Sequence, residues 1–292
     1  MHNNLMRNEY YVSDMVVESA EGVDLGQFCT VKNLSHGIQK RVINVKSVQL
    51  SKQIGKERGV YITFDCKKNV IEGKTSSAYL AGCISESIRE IVGIVKKTAP
   101  VLVVGLGNRN IVCDSLGDKV AASVNVIGGV NASLNKRQCV CAISPGVLGT
   151  TGIQSAQIVS AICEKIKPCA VILVDSLATG AVKRLGCSFQ ISSNGISPGS
   201  GVGQDKERID KSVSGVPTIS VGVPLMLSLR TCIYNFLTDY LRSQNAEINE
   251  FALRQKMADE MTRFVVSPQD VDYSVGLCAY VIAKAINDAF GV

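Results

Sequence analysis

The spacing of apolar residues along the chain predicts alternating strands and helices. Four short segments are mainly apolar, as expected for strands, and they cover residues 101–106, 139–143, 170–174 and 216–223. Apolar residues recur every three or four positions over residues 76–97 and 153–166, which is the spacing of a helix with one buried face. Strands that are apolar on both faces are typical of a parallel sheet covered by helices on both sides.

This pattern predicts the α/β class, as a three-layer sandwich with a mostly parallel sheet. Residues 42–50 and 60–64 resemble two further strands joined by a turn at 55–59, and we expect them to form a small β extension. The first 40 residues are polar and irregular, which predicts an N-terminal leader. The sequence has no internal repeat and no low-complexity linker, so a single domain is expected.

Proline marks the start of two further predicted helices. Pro224 follows the fourth strand, and we expect a helix from it toward Leu241. Ser267 and Pro268 are the residue types preferred at a helix start, so a covering helix is predicted to run on to Phe290. A glycine-rich loop at residues 195–203 lies inside the domain and is interpreted as a lid, a subunit contact or a turn.

Composition and charge exclude several classes of protein. Hydrophobic residues make up 46% of the chain and charged residues 19%, which is too apolar for a disordered protein. No uncharged apolar stretch approaches the roughly 20 residues of a membrane span, and residues 1–11 lack the apolar centre of a secretion signal. We therefore expect a cytoplasmic protein without a membrane partner. The net charge of +6 has no runs of like charge, so nucleic acid is not an expected partner.

Cysteine and histidine usage narrows the chemistry. The eleven cysteines never show the two-residue spacer of zinc or thioredoxin sites, so we interpret them mostly as buried thiols. The only histidines, His2 and His36, lie in the polar leader, which disfavours a serine or cysteine triad. Gly105 and Gly107 fit the first two positions of a dinucleotide-binding pattern, but Asn110 occupies the third. No metal and no cofactor are expected.

Two aspartates follow predicted strands of the sheet. Asp114 comes shortly after the first strand and Asp175 ends the third. Because ligands bind beyond the carboxyl ends of parallel strands, both side chains are expected on one rim. Two neighbouring carboxyl groups can share a proton and activate a water. The alternative is that each aspartate caps the helix that follows it.

Several separate motifs give the chain a resemblance to a known family. They are residues 103–108 (VVGLGN), 114–117 (DSLG), 144–152 (SPGVLGTTG), 174–178 (VDSLA), 195–196 (GI), 198–203 (PGSGVG), 215–217 (GVP), 222–224 (GVP) and 265–268 (VVSP). In this order and spacing they resemble the germination protease of spore-forming bacteria. The resemblance covers most of the chain.

The resemblance implies an atypical aspartic endopeptidase that degrades small acid-soluble spore proteins during germination. It places the two proposed catalytic aspartates at Asp114 and Asp175, inside a homotetramer in the developing spore. Residues 12–18 are similar to the family's processing segment, which implies a zymogen cut between Asp14 and Met15. Residues 1–14 would then be a propeptide, and residues 15–292 a single peptidase domain. By position alone, Asn108 and Gly107 are candidates for stabilising the oxyanion.

The chain departs from the family pattern at several positions. Cys113 and Asp118 stand where proline is usual, Ser197 replaces a common histidine, Gln204 replaces a usual asparagine, and residues 121–138 are shorter than usual. These differences concern loop geometry and substrate preference. Two alternatives stay open, a metal-dependent maturation peptidase of related fold and a catalytically silent sporulation scaffold.

Overall fold

One nine-stranded sheet crosses the part of the chain that the computed structural model describes. The described residues are 13–95, 99–128, 138–197, 207–245, 261 and 264–292. Across the sheet the strands follow the order β1 (Cys29–Asn33), β2 (Gln39–Val45), β3 (Gly59–Asp65), β7 (Ser188–Ser192), β8 (Thr218–Ser228), β6 (Ala170–Ala178), β4 (Val101–Gly105) and β5 (Val140–Ile143), and β9 (Val265–Val266) pairs with β8.

The sheet has a parallel half and an antiparallel half. Strands β8, β6, β4 and β5 pair in parallel, as the four apolar segments predicted. The β extension is larger than predicted, because β1, β2, β3 and β7 continue the same sheet with antiparallel pairing. Strand β7 alternates polar with apolar residues and has no continuous apolar run, so the sequence pattern missed it.

Helices cover both faces of this sheet. The described helices are α1 (Val16–Ser19), α2 (Val48–Ile54), α3 (Lys68–Glu72), α4 (Lys74–Val92), α5 (Leu116–Ser123), α6 (Leu148–Thr151), α7 (Ser155–Ile166), α8 (Lys211–Ser214), α9 (Leu229–Ser243) and α10 (Val271–Phe290). Helices α4, α5 and α10 pack on one face, and α7, α1 and α2 pack on the other. The predicted α/β class and three layers are confirmed.

Alternate residues of β6 explain why the parallel strands are apolar throughout. Ile172 and Val174 enter the core beneath α4, α5 and α10, whereas Val171 and Leu173 enter the core beneath α7. All nine residues of the strand are buried. A strand between two helical layers has no solvent-facing side on which polar residues would be preferred.

The helix predicted toward Leu241 is present, but its predicted start at Pro224 is wrong. Strand β8 continues through Pro224 to Ser228, and α9 begins only at Leu229. Pro224 lies opposite Leu177, next to a bulge between Leu177 and Ala178. Proline has no N–H to donate and is tolerated in a strand at such an irregularity, while its carbonyl accepts from the Gly186 N–H at 2.8 Å.

The predictions for the N-terminal third are only partly right. Val48 and Leu50, predicted in a strand, lie in α2, where the Ser47 hydroxyl accepts from the Leu50 N–H at 3.0 Å and caps the helix. The leader predicted as irregular contains α1 and β1. Helix α4 ends before the predicted residue 97, because Gly93 leaves the helix with a φ of 74°.

Two sequence predictions concern cysteine and the glycine-rich loop. All eleven cysteines are free thiols, but only Cys113, Cys163 and Cys278 are buried and the other eight are partly exposed. The predicted loop at 195–203 lies outside the described residues from 198 onward.

Among the helices of the described ranges, none is both long and apolar enough to cross a membrane.

Candidate active site

Asp175 lies on β6 in the parallel half of the sheet. It is only 4% exposed, and its neighbour across the ladder to β8 is Gly222. Its Oδ1 accepts from the Ser176 N–H at 2.9 Å. Because alternate residues of a strand share a face, its side chain lies on the face of Leu173 and Leu177. The helix-cap alternative for Asp175 is wrong, since the strand continues to Ala178.

Asp114 lies in a short 3-10 turn, Val112–Asp114, between the end of β4 and α5. Its Oδ2 accepts from the Asn108 N–H at 2.8 Å, so the loop after β4 holds this carboxylate. Helix α5 begins at Leu116 with Ser115 at the N-cap, which makes the cap alternative for Asp114 wrong as well. The Asn108 Oδ1 in turn accepts from the Asn110 N–H at 3.0 Å within the same loop.

Glycines let the loop after β4 approach the turn of Asp114. Gly107 has a φ of 101°, a region that favours glycine. A Cβ atom on Gly107 would lie 2.1 Å from the Asp114 carbonyl oxygen and 3.0 Å from its Oδ1. The backbone can approach this closely only without a side chain. Gly107 and Asn108 therefore both contact the backbone or carboxylate of Asp114.

A second close contact joins the first turn of α5, directly after the Asp114 turn, to the strand of Asp175. A Cβ atom on Gly117 would lie 2.5 Å from the Val174 carbonyl oxygen and 2.3 Å from that of Leu106. The turn Val112–Asp114 also contacts β6 and β8. The structure therefore places the Asp114 turn against the strand that carries Asp175, at the carboxyl end of β4.

We expect Gly117→Ala to destabilise the protein by about 1–3 kcal/mol, because the added methyl group meets backbone atoms that cannot move aside. Gly82→Ala in α4 is the matched control, since no atom lies within 4 Å of the added Cβ. That control should gain about 0.5–1 kcal/mol from helix propensity. Denaturant unfolding of both variants measures the difference, and equal stabilities would contradict the tight contact.

Ser176 follows Asp175 on β6, so its side chain lies on the opposite face of the strand from that of Asp175. It is 8% exposed, and its Oγ has no hydrogen-bond partner in the described part of the chain. An unpaired buried hydroxyl costs about 1–3 kcal/mol.

A cavity of about 460 Å³ opens on the Asp175 face of the sheet. Its lining includes Leu177, Gly222, Gln190, Tyr61 and Asp14. Leu177 leans over Gly222, where a Cβ atom would lie 2.6 Å from the leucine Cγ. The cavity therefore joins the strand of Asp175 to the N-terminal segment of the chain.

The sequence-predicted processing residues lie at the end of β6. The Asp14 N–H donates to the Ala178 carbonyl at 3.0 Å, and the Asp14 Oδ2 accepts from the Ala178 N–H at 2.8 Å. Met15 is fully buried in an apolar cluster with Val45 and Tyr61. Residues 1–12 lie outside the described residues.

Glu18 fixes α1 to the loop after β6, and sequence reasoning missed it. Its carboxylate is buried and accepts from the Thr179 hydroxyl at 2.6 Å and the Gly180 N–H at 2.7 Å. Arg184 pairs with Glu18 at 3.1 Å and with Asp65 at 2.5 Å. Burial lowers the pKa of the Arg184 guanidinium, but Asp65 and Glu18 outweigh it and raise that pKa above its ordinary value. An acidic residue following Met15-Val16-Val17 is the one local signal of this site.

Metal binding and thiol chemistry are the two other kinds of site considered in the described ranges. Within them, no group of three or more histidine, cysteine or acidic residues is arranged to hold a metal ion. Burial raises the pKa of the Cys66 thiol to about 12, so it is protonated at neutral pH.

Comparisons with known proteins agree with the resemblance found in the sequence. A family model described as germination protease matches residues 13–256. Similar proteins named germination protease occur in Clostridium acetobutylicum (29% identical, covering 94% of this chain and 91% of that protein), Caldanaerobacter subterraneus (31%, 86% and 84%) and Bacillus subtilis (33%, 80% and 68%). A solved NiFe hydrogenase maturation protease from Thermococcus kodakarensis overlaps 67% of this chain and 98% of its own, with 14% identity and a TM-score of 0.34.

Proposed function

The chain belongs to the germination protease family, and we propose that it is an endopeptidase that cuts small acid-soluble spore proteins by activating water with Asp114 and Asp175. The observation that carries this proposal is the placement of both aspartates at one end of the parallel strands. Asp175 lies on β6, and the turn that holds Asp114 contacts that strand. Family membership supports a peptidase; the aspartate mechanism is our proposal.

The chemistry assigned to the two carboxyl groups follows from their charge. The proposal requires the two carboxyl groups to come close enough to share one proton, because like charges a few ångströms apart are not easily ionised together. The ionised member accepts a proton from a water as its oxygen attacks the peptide carbonyl, and the protonated member donates toward the reacting amide. Asn108 serves as a positioning residue, because its N–H holds the Asp114 carboxylate.

We include self-processing in the proposal, with residues 1–14 removed by a cut between Asp14 and Met15. The docking of Asp14 beside Ala178, three residues beyond Asp175 on the same strand, supports this assignment. A homotetramer of residues 15–292 that works in the spore interior completes the proposal and rests on the family resemblance.

The test is to incubate the purified full chain with a small acid-soluble spore protein at mildly acidic pH and to follow its fragments by mass spectrometry. We expect defined internal cuts, and N-terminal sequencing of the enzyme should begin at Met15. A parallel incubation with a chelator should give the same cuts. Loss of cutting with chelator would favour the metal-dependent maturation peptidase, and absence of any cut would favour the silent scaffold.

A further inference from the structure

Four main-chain groups of the N-terminal segment are held by groups outside that segment. The Ser13 carbonyl accepts from the Lys56 Nζ at 2.9 Å, and the Asp14 N–H donates to the Ala178 carbonyl at 3.0 Å. The Asp14 carbonyl accepts from the Gln190 Nε2 at 3.0 Å, and the Val16 N–H donates to the Gln190 Oε1 at 2.7 Å. Such contacts recognise an extended main chain, as a neighbouring strand would.

Gln190 uses both ends of its amide on this segment. Its NH₂ group binds the carbonyl before Met15, and its oxygen binds the N–H after Met15, so only one orientation of the amide fits. Gln190 is 7% exposed. If the segment left, the buried amide would lose both of these partners, at a cost of about 1–3 kcal/mol for each unsatisfied group. The position of Gln190 therefore matches a docked peptide.

Gln190 and Asp175 lie at one level of the sheet, on either side of Gly222. The register pairs Asp175 with Gly222 and Gly222 with Gln190. Directly paired residues share a face, so both side chains lie on the side of the cavity, with Cα atoms separated by two strand spacings, about 10 Å. Glycine between them adds no side chain of its own.

We propose that Gln190 is a further catalytic residue, which holds the carbonyl oxygen of the bond to be cut while water attacks under the control of the aspartates. This inference rests on the proposed function, since it takes the bond between Asp14 and Met15 as the first substrate. The same amide would hold an external substrate chain, because it contacts only main-chain atoms.

The role follows from the bonds that change in hydrolysis. The water oxygen bonds to the Asp14 carbonyl carbon, one water proton passes to the ionised carboxylate, and the carbonyl oxygen becomes an oxyanion. The bond to the Met15 nitrogen then breaks, and that nitrogen takes up a proton from the protonated carboxyl group. The Gln190 Nε2 hydrogen bond strengthens as charge builds on the oxygen, which lowers the barrier.

The experiment follows removal of residues 1–14 from the full chain in the parent, Gln190→Met and Gln190→Glu. Gln190→Met keeps the length of the side chain and removes both hydrogen bonds, so we expect processing to slow on the order of 100-fold. Gln190→Glu keeps an acceptor for the Val16 N–H but places a negative charge at the oxyanion. Its rate relative to the parent should recover as the pH falls, because the protonated carboxyl group can donate again. A merely structural role would not produce this pH profile.

Gln157→Met is the matched control, because Gln157 is exposed on α7. We expect this variant to remove its leader at the parent rate. Thermal unfolding of each variant measures folding separately. Parent-like processing by both Gln190 variants would overturn the inference, as would slow processing by Gln190→Glu at every pH with the parent's stability. If the parent itself removes no leader and cuts no spore protein, the proposed function fails instead.

Discussion

Asp175→Asn should lower both leader removal and spore-protein cutting by about 10²- to 10⁴-fold, and Asp114→Asn should do the same. Asparagine keeps the size of the side chain and its hydrogen-bonding oxygen, so the Ser176 and Asn108 N–H groups retain an acceptor. What is lost is the ability to gain and release a proton. Because the two carboxyl groups act as a unit, the double variant should be scarcely slower than either single variant.

The measurement is the initial rate of fragment formation, together with the fraction of chains that still begin at Met1. Asp118→Asn is the matched control, since Asp118 lies in the same helix-start region and forms a surface ion pair with Arg109 at 3.0 Å. Surface pairs contribute roughly 0–1 kcal/mol, so this variant should keep the parent rate and stability. Parent-like activity of both Asp114→Asn and Asp175→Asn would exclude the aspartate mechanism.

Glu18→Ala should destabilise the folded protein by about 3–5 kcal/mol, the usual cost of breaking a buried ion pair from one side. The substitution leaves the Gly180 N–H and the Thr179 hydroxyl without their carboxylate acceptor. It also removes a carboxylate that pairs with Arg184, whose side chain is only 10% exposed, and keeps the pair between Arg184 and Asp65. Helix α1 would then be held by its apolar contacts and by the hydrogen bond from the Val16 N–H to Gln190.

Equilibrium unfolding in urea measures this change through the transition midpoint at constant slope. Glu90→Ala is the control, because Glu90 is an exposed residue of α4. It should change stability by less than about 0.5 kcal/mol. If the Glu18→Ala variant is as stable as the Glu90→Ala variant, the contacts of the Glu18 carboxylate do no more than offset the free energy lost by removing it from water.

Much of the parallel half could be predicted from the sequence, because strands between two helical layers are apolar on both faces. Strand β4 was predicted to within one residue and β5 likewise. The antiparallel half of the sheet was harder to predict from the sequence. Strand β7 contains Ser188, Gln190 and Ser192, and its burial comes from neighbouring strands and α1, which are distant in sequence. Local polarity therefore indicated no strand there.

The candidate aspartates were predictable from their place after apolar runs, but their surroundings were not. Aspartate is common both as a helix cap and as a catalytic group, and at Asp114 the cap is excluded by the place of Ser115 at the N-cap of α5. At Asp175 the distinction is the continuation of β6 to Ala178. Neither feature has a local sequence signal.

By itself, the sequence determined the α/β class, the segments that form the parallel strands, the family and the two aspartates to consider. Only the tertiary structure decided which distant residues meet: Gln190 at the level of Asp175, Glu18 against Arg184, and the Asp14 segment beside Ala178. The physical reason is the sequence separation of the residues that meet. Periodicity reports which side of an element is buried, whereas the Val16 to Gln190 contact joins residues 174 positions apart and depends on strand order and register.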